Sequence, residues 1–162
     1  ASQRRAVAVR VPLLVGLFVS ALILLSMAVT GVDRADAASC ARGAVSPGAE
    51  AAMLKLINAR RSSAGQAPVR SSAGLRKAGR RSSTAMARGA AFAHGSLSWA
   101  RGRGAAQNLA MAPRPGAAFT AMMGSAEHRR NLLGPFTHIG VGAAGDCNGL
   151  TYYTINLLAN RR

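Results

Sequence analysis

Acidic and aromatic residues are the scarcest classes in this sequence of 162 residues. Five Asp and Glu stand against 21 Lys and Arg, which gives a formal net charge of +16 and a pI near 12.0. Aromatic residues make up only 4%, so we expect a core built mostly from Ala, Val, Leu, Ile and Met. Apolar residues still make up 49%, which excludes a disordered basic tail of the histone kind. The positive charge indicates an anionic partner: nucleic acid, acidic lipid or a polyanionic wall polymer.

Residues 1–37 have the order of a secretory signal. Three arginines and no acid precede an apolar run over residues 11–32, and Ala35-Asp36-Ala37 fits a small-x-small cleavage site. The run is also long enough to stay in a bilayer as an uncleaved anchor. The sequence therefore allows either a cleaved signal peptide or an anchor, and it favours cleavage. Either reading predicts an exported protein, secreted or held at the membrane through its N-terminal segment.

Export changes the expected partner of the basic chain. Nucleic acid is no longer the leading candidate, and an anionic lipid or wall polymer takes its place. Removal of residues 1–37 leaves 17 Lys and Arg against three acids, Glu50, Glu127 and Asp146. We expect a monomer with a linker at residues 38–45 and one folded domain at residues 46–162.

Cysteine is almost absent, and its two positions favour a structural role. Cys40 and Cys147 have no flanking residues that suggest a redox or metal pair. Outside the cytoplasm two such cysteines tend to pair, so we expect a disulfide between them. A Ser-His-Asp or Cys-His nucleophile has no support, because no acid is placed to orient a base.

The mature chain is predicted to form helices followed by strands. Ser46-Pro47 starts a helix that ends at Gly65, and we expect Lys55, Arg60 and Arg61 on its outer face. Ser71 or Ser72 caps a second helix, and Pro115 opens a third that runs to about His128. The inner stripe of the second helix is predicted to comprise Leu75, Ala78, Ser82, Ala85 and Met86.

Three later segments have strand patterns. Residues 107–111 predict a short strand, and Ile139 and Val141 share one face of the next. The last strand alternates Tyr153, Ile155 and Leu157 with polar residues, and it forms an antiparallel hairpin with the strand before it. These elements predict an α+β layered domain.

Five stretches in sequence order carry a family resemblance. They are residues 50–60, which contain a Leu-x-x-Ile-Asn pattern; Phe92-Ala-His94-Gly-Ser96; Ala106-Gln107-Asn108-Leu109-Ala110; Ser125-Ala-Glu-His128-Arg129-Arg-Asn131-Leu132-Leu133; and Ile139-Gly140-Val141-Gly142 with Tyr152-Tyr153. Together they resemble the CAP domain, in particular the bacterial SCP-like extracellular proteins. The resemblance implies a three-layer α-β-α sandwich with a small antiparallel sheet of three or four strands.

The resemblance also implies a cleft built around two histidines, His94 and His128, with Gln107 and Ser125 beside them. Such histidines can hold a divalent metal such as zinc or transfer protons near neutral pH. The family's Glu is replaced by Gln107, which supplies neither a base nor a negative charge. We expect Glu127 to point away from the cleft, because neighbours on a helix point about 100° apart.

Several of these residues also have structural interpretations. His94 and His128 could be a hydrogen-bonded pair without a ligand. Asn108 is expected to fix a turn, while Arg129 and Asn131 end the third helix and anchor the next loop.

Three hypotheses follow from the sequence. The favoured one is a non-catalytic binding module for a lipid or an anionic ligand of the cell envelope. The alternative is a divalent-metal-dependent, peptidase-like hydrolase that uses His94 and His128. The third is a structural wall protein without a small ligand.

Overall fold

The computed structural model describes residues 40–160, in which helices cover both faces of a sheet. The predicted signal or anchor at residues 1–37 lies outside the described residues. In chain order the elements are β1 (Ala44–Val45), α1 (Pro47–Ser63), β2 (Arg70–Ser71), α2 (Ala73–Ala87), a 3₁₀ turn (Ser98–Ala100), β3 (Ala105–Ala112), α3 (Pro115–Gly124), α4 (Ala126–Leu132), β4 (His138–Gly145) and β5 (Thr151–Leu158).

The sheet has the strand order β1-β4-β5-β3, with antiparallel pairing throughout this path. The short strand β2 pairs parallel with the start of β4. The predicted β4–β5 hairpin is confirmed, and Val141 pairs with Ile155 at its centre. Residues 44–45 form β1, so the linker predicted over residues 38–45 does not include these two residues.

Alternation along the strands separates two unlike faces of the sheet. Ile139, Val141 and Ile155 are buried on the face that packs with α1, α3 and α4. The opposite face carries small and polar residues under α2, and the Ser83 hydroxyl donates to the Gly142 carbonyl at 2.9 Å. The three-layer α-β-α sandwich is therefore confirmed.

Close approach of α2 to the sheet corrects the predicted inner stripe. Leu75 and Met86 are buried as expected, but Gly79 and Ser83 are buried instead of Ala78 and Ala85. A Cβ on Gly142 would overlap the backbone of Gly79. The helix contacts the sheet through the backbone of Gly79 and Gly142 rather than through apolar side chains. Hydrophobic periodicity alone therefore predicted the wrong inner face.

A break at Ser125 corrects the predicted third helix. Ser125 has φ −83° and ψ 125°, an extended conformation that ends α3 and begins α4. The first helix agrees better with its prediction: the Ser46 hydroxyl accepts from the Ala49 amide, and Gly65 has the positive φ of 69° expected after a helix end.

The prediction that Arg61 lies on the outer face of α1 is wrong, because only 2% of this residue is exposed. Its guanidinium donates to four backbone carbonyls, those of Ala67, Leu132, Gly134 and Phe136, at 2.8–3.2 Å. Burial lowers the pKa of Arg61. This side chain ties the end of α1 to the segment that leads from α4 into β4.

Two covalent or ionic links complete the domain. The predicted disulfide is confirmed, with 5.7 Å between the Cα atoms of Cys40 and Cys147. Buried Glu50 of α1 accepts two bonds from Arg80 of α2 at 2.6 and 2.7 Å, and this hydrogen bonding raises the pKa of Arg80. Within residues 40–160, none of the helices combines the length and apolar character needed to cross a membrane.

Candidate binding cleft and basic groove

Gln107 organises the loop that carries His94. Its Oε1 accepts from the Gly95 amide at 2.9 Å and lies 3.1 Å from His94 Nδ1. Its Nε2 donates to Asn156 Oδ1 at 2.9 Å, and Asn156 Nδ2 donates to the Leu75 carbonyl. These partners fix both amide orientations, so His94 Nδ1 must be the donor to Gln107. In the neutral form of the ring, His94 Nε2 is then the nitrogen that can accept.

His94 and Gln107 line a cavity of about 290 Å³ at the start of β3. Glu127 and Asn131 of α4 line the same cavity. The expectation that Glu127 points away from the cleft is therefore wrong. Residues 127 and 131 are one helical turn apart and share a face, and the hydrogen bond from Asn131 to Asn108 turns that face toward β3.

His128 does not join this lining. Its backbone carbonyl accepts from Asn108 Nδ2 at 2.9 Å, and Asn108 Oδ1 accepts from Asn131 at 2.9 Å. Asn108 thus fixes α4 against β3 rather than forming a turn. Arg129 donates to the Met123 carbonyl at 2.7 Å across the break at Ser125. These contacts are positioning contacts, and the roles of His94 and His128 toward a ligand stay predictions.

The residues of this cavity do not fit a zinc site. Both polar atoms of the Gln107 side chain are engaged within the protein. Among the residues that the structure describes, no three His, Cys, Asp or Glu side chains are grouped so that they could hold a metal ion. Structural zinc sites have four protein ligands and catalytic sites three, so this donor set is too small.

A second concave region lies at the same end of the sheet and is strongly basic. Cavities of about 840 and about 510 Å³ share Arg103. Their lining includes Arg81, Arg101 and His138 and contains no Asp or Glu. We call this region, defined by Arg81, Arg101, Arg103 and His138, the basic groove.

The basic groove was not predicted from the sequence. Neither Arg81 nor the Arg101-Gly-Arg103-Gly repeat belongs to any of the sequence motifs described above. That repeat is the signal that could have found it, because glycines let two arginines approach a common ligand. Arg101 itself has a left-handed φ of 50°, a conformation that non-glycine residues seldom adopt.

The three acids of residues 40–160 leave this charge uncompensated. Glu50 is paired with Arg80. Asp146 Oδ1 accepts from the backbone amides of Asn148 and Leu150 within the β4–β5 turn. Glu127 lines the His94 cavity rather than the basic groove.

Comparison with known proteins identifies the family. Residues 54–157 match the cysteine-rich secretory protein family, CAP. The chain belongs to the CAP family. A comparison with curated proteins finds no match.

Two solved structures resemble this CAP domain. An outer surface protein from Borrelia burgdorferi has a TM-score of 0.63 at 10% identity, over 71% of this chain and 95% of that one. An extracellular protein containing an SCP domain from Bacillus anthracis strain Ames has a TM-score of 0.59 at 25% identity, over 70% of this chain. The match covers 41% of the Bacillus protein. The Borrelia protein is described as an outer surface protein and the Bacillus protein as extracellular.

Proposed function

We propose that this CAP protein is exported and binds a phosphate-bearing anionic ligand of the cell envelope in the basic groove, without catalysing a reaction. The observation that carries the proposal is the concave lining by Arg81, Arg101, Arg103 and His138 without an acid. Guanidinium groups bind phosphate through paired hydrogen bonds, and a concave site lets several act on one ligand. Gln107 supports a binding role over catalysis because both ends of its amide are committed to structure.

The test is binding to purified wall fragments and to inorganic polyphosphate over a range of salt concentrations. We expect binding that is tightest at low salt, because the contact depends on charge. Arg101→Gln with Arg103→Gln should weaken it about tenfold or more. Lys55→Gln with Arg60→Gln removes the same charge from exposed positions on α1 and serves as the matched control.

The two variants separate a site from a general charge effect. Equal weakening by both pairs would mean that the whole surface attracts anions and would overturn the groove assignment. Failure of the wild-type protein to bind either probe at low salt would overturn the proposed function itself.

A second candidate function is hydrolysis in the His94 cavity. One observation favours it: Glu127 supplies a carboxylate to the lining, where the sequence predicted none. His94 Nε2 would then act as the base. Calorimetric titration with zinc tests the metal-dependent form, and micromolar binding by the wild-type protein would favour this candidate over the first.

A further inference from the structure

Three exposed apolar side chains lie at the other end of the sheet. Val45, Phe92 and Met111 are 39%, 52% and 48% exposed. We call the region formed by these three and Tyr152 the apolar end. Contiguous exposed apolar side chains, such as Phe92, Tyr152 and Met111 here, mark interaction surfaces on soluble domains.

Strand register places Val45, Tyr152 and Met111 in one row across the sheet, with Val45 and Met111 on the two edge strands. Val45 pairs with Ala144, Ala144 with Tyr152, and Tyr152 with Met111. Directly paired residues of antiparallel strands point to the same face of a sheet, so this row faces the α2 side. The Phe92 ring centroid lies 6.3 Å from that of Tyr152.

Exposed arginines flank the apolar end. Arg42 precedes β1, and Arg88 ends α2 and donates to the Arg42 carbonyl at 3.3 Å. Arg114 follows β3 and starts α3. The acid at this end, Asp146, is engaged by backbone amides of its own turn.

The described chain also starts here. Cys40 is bonded to Cys147 in the β4–β5 turn. This bond holds the start of the described residues beside the β4–β5 turn, at the apolar end.

We propose that the apolar end docks on an anionic membrane surface. Phe92, Met111 and Val45 enter the headgroup region while the arginines pair with lipid phosphates, the combination by which peripheral surfaces bind anionic bilayers. A second copy of this chain is a poorer partner, because it would bring a second set of the same arginines against the first.

This docking is separate from the proposed ligand site. The basic groove includes His138 at the start of β4, whereas the apolar end lies beside Ala144 at its finish. Docking would therefore leave the basic groove at the end of the sheet away from the lipid, and neither site requires the other.

Vesicle flotation tests the proposal with a chain that begins at Ala38. This chain contains every element that the structure describes and both cysteines, so it retains the domain without the apolar run. We expect it to float with vesicles of phosphatidylglycerol and phosphatidylcholine and not with phosphatidylcholine alone. Phe92→Ser with Met111→Ser should reduce flotation about tenfold.

Two charge-matched pairs locate the contact. Arg42→Gln with Arg114→Gln should weaken flotation, whereas Lys55→Gln with Arg60→Gln, at exposed positions on α1, should leave it within about twofold. Equal weakening by both pairs, or no effect of the Phe92 and Met111 substitutions, would overturn the proposal. Loss of polyphosphate binding with intact flotation would separate failure of the groove from failure of the docking surface.

Methionine oxidation gives a second readout that works on the full chain. Met111 is half exposed, whereas Met53, Met86 and Met122 are buried and serve as internal controls. Vesicles containing phosphatidylglycerol should slow oxidation of Met111 by a water-soluble oxidant several-fold, as followed by peptide mass spectrometry. Unchanged oxidation would overturn the proposal, as would protection by self-association in the absence of lipid.

Discussion

Gln107 and Asn156 face each other on adjacent strands, and the amide of Gln107 donates to the side-chain oxygen of Asn156 at 2.9 Å. Asn156 donates in turn to the Leu75 carbonyl at 3.2 Å. This relay joins the loop that carries His94 to the first turn of α2. It explains why a neutral amide suits position 107: a carboxylate there would meet the Asn156 oxygen without a proton to share.

Gln107→Glu tests this relay and the metal question together. We expect the free energy of unfolding to fall by about 1–3 kcal/mol, since an acceptor replaces a partly buried donor. The variant also adds a carboxylate to the cavity lined by His94 and Glu127, so calorimetry should show zinc binding that the wild-type protein lacks. Gln107→Ala is the control, which should lose stability without gaining zinc. Zinc binding of equal strength by wild type and Gln107→Glu would contradict this account.

Arg61→Ala should lower the free energy of unfolding by about 3–5 kcal/mol, because four backbone carbonyls lose a charged donor. Arg60→Ala provides a matched control on the same helix. Arg60 is exposed and bonds to Ser63 alone among the described side chains, so its loss should cost about 0.5 kcal/mol or less. Denaturant unfolding of both variants measures the difference, and similar costs would refute the assigned role of Arg61.

Gly142→Ala should destabilise the domain by about 2–4 kcal/mol, because the new Cβ would overlap the backbone of α2 at Gly79. Gly116→Ala in α3 is the control. Its Cβ would meet nothing within 4 Å, so the substitution should raise stability by up to about 1 kcal/mol. Thermal melts of the two variants should therefore shift in opposite directions.

Because of the buried hydroxyl of Tyr153, we expect the domain to lose stability at alkaline pH. The hydroxyl is buried without a hydrogen-bond partner among residues 40–160, and burial raises the pKa of Tyr153 above its ordinary value of 10.0. Above that pH the unfolded chain releases the proton while the folded chain retains it, so the free energy of unfolding falls as pH rises.

Tyr153→Phe removes this titration and the unpaired hydroxyl. The variant should be about as stable as the wild-type protein or up to about 1 kcal/mol more stable at neutral pH. Its alkaline loss should be smaller than that of the wild-type protein, whereas Tyr152→Phe should keep the loss. Denaturant midpoints measured between neutral pH and about pH 11 would reveal this difference.

Reduction of the disulfide should destabilise the domain. Cys40 and Cys147 are 107 residues apart, and loop-closure entropy for such a loop corresponds to about 4–5 kcal/mol. A melt with and without reductant, compared with the Cys40→Ser and Cys147→Ser double variant, measures this contribution. Unchanged melting would show that the bond contributes nothing to folding stability.

Much of the fold could be predicted from local pattern. Ser46-Pro47 starts α1, and the alternation of Tyr153, Ile155 and Leu157 marks the buried face of β5. Errors arose where one backbone contacts another. Hydrophobic periodicity could not show that Gly79 meets Gly142, because glycine carries no apolar signal.

The candidate site was predictable only in part. His94 and Gln107 do lie together, as the resemblance implied, but Glu127 rather than His128 joins the lining of their cavity. The rotation of α4 depends on the bond between Asn131 and Asn108, residues 23 positions apart in the chain. The spacing of residues within a helix does not show which face of that helix will pack against a strand, because a bond to a distant side chain decides this.

The sequence by itself determined the scarcity of acids, the disulfide, the helix starts and the strand alternation, because each depends on composition or on neighbours along the chain. The tertiary structure decided where the remaining charge acts. It buried Arg61 on four carbonyls, gathered Arg81, Arg101, Arg103 and His138 around the basic groove, and placed Phe92 beside Tyr152 and its strand partner Met111 at the other end of the sheet. Side chains far apart in sequence become neighbours only when the strands pair and the helices pack, and only the folded chain shows which of them share a site.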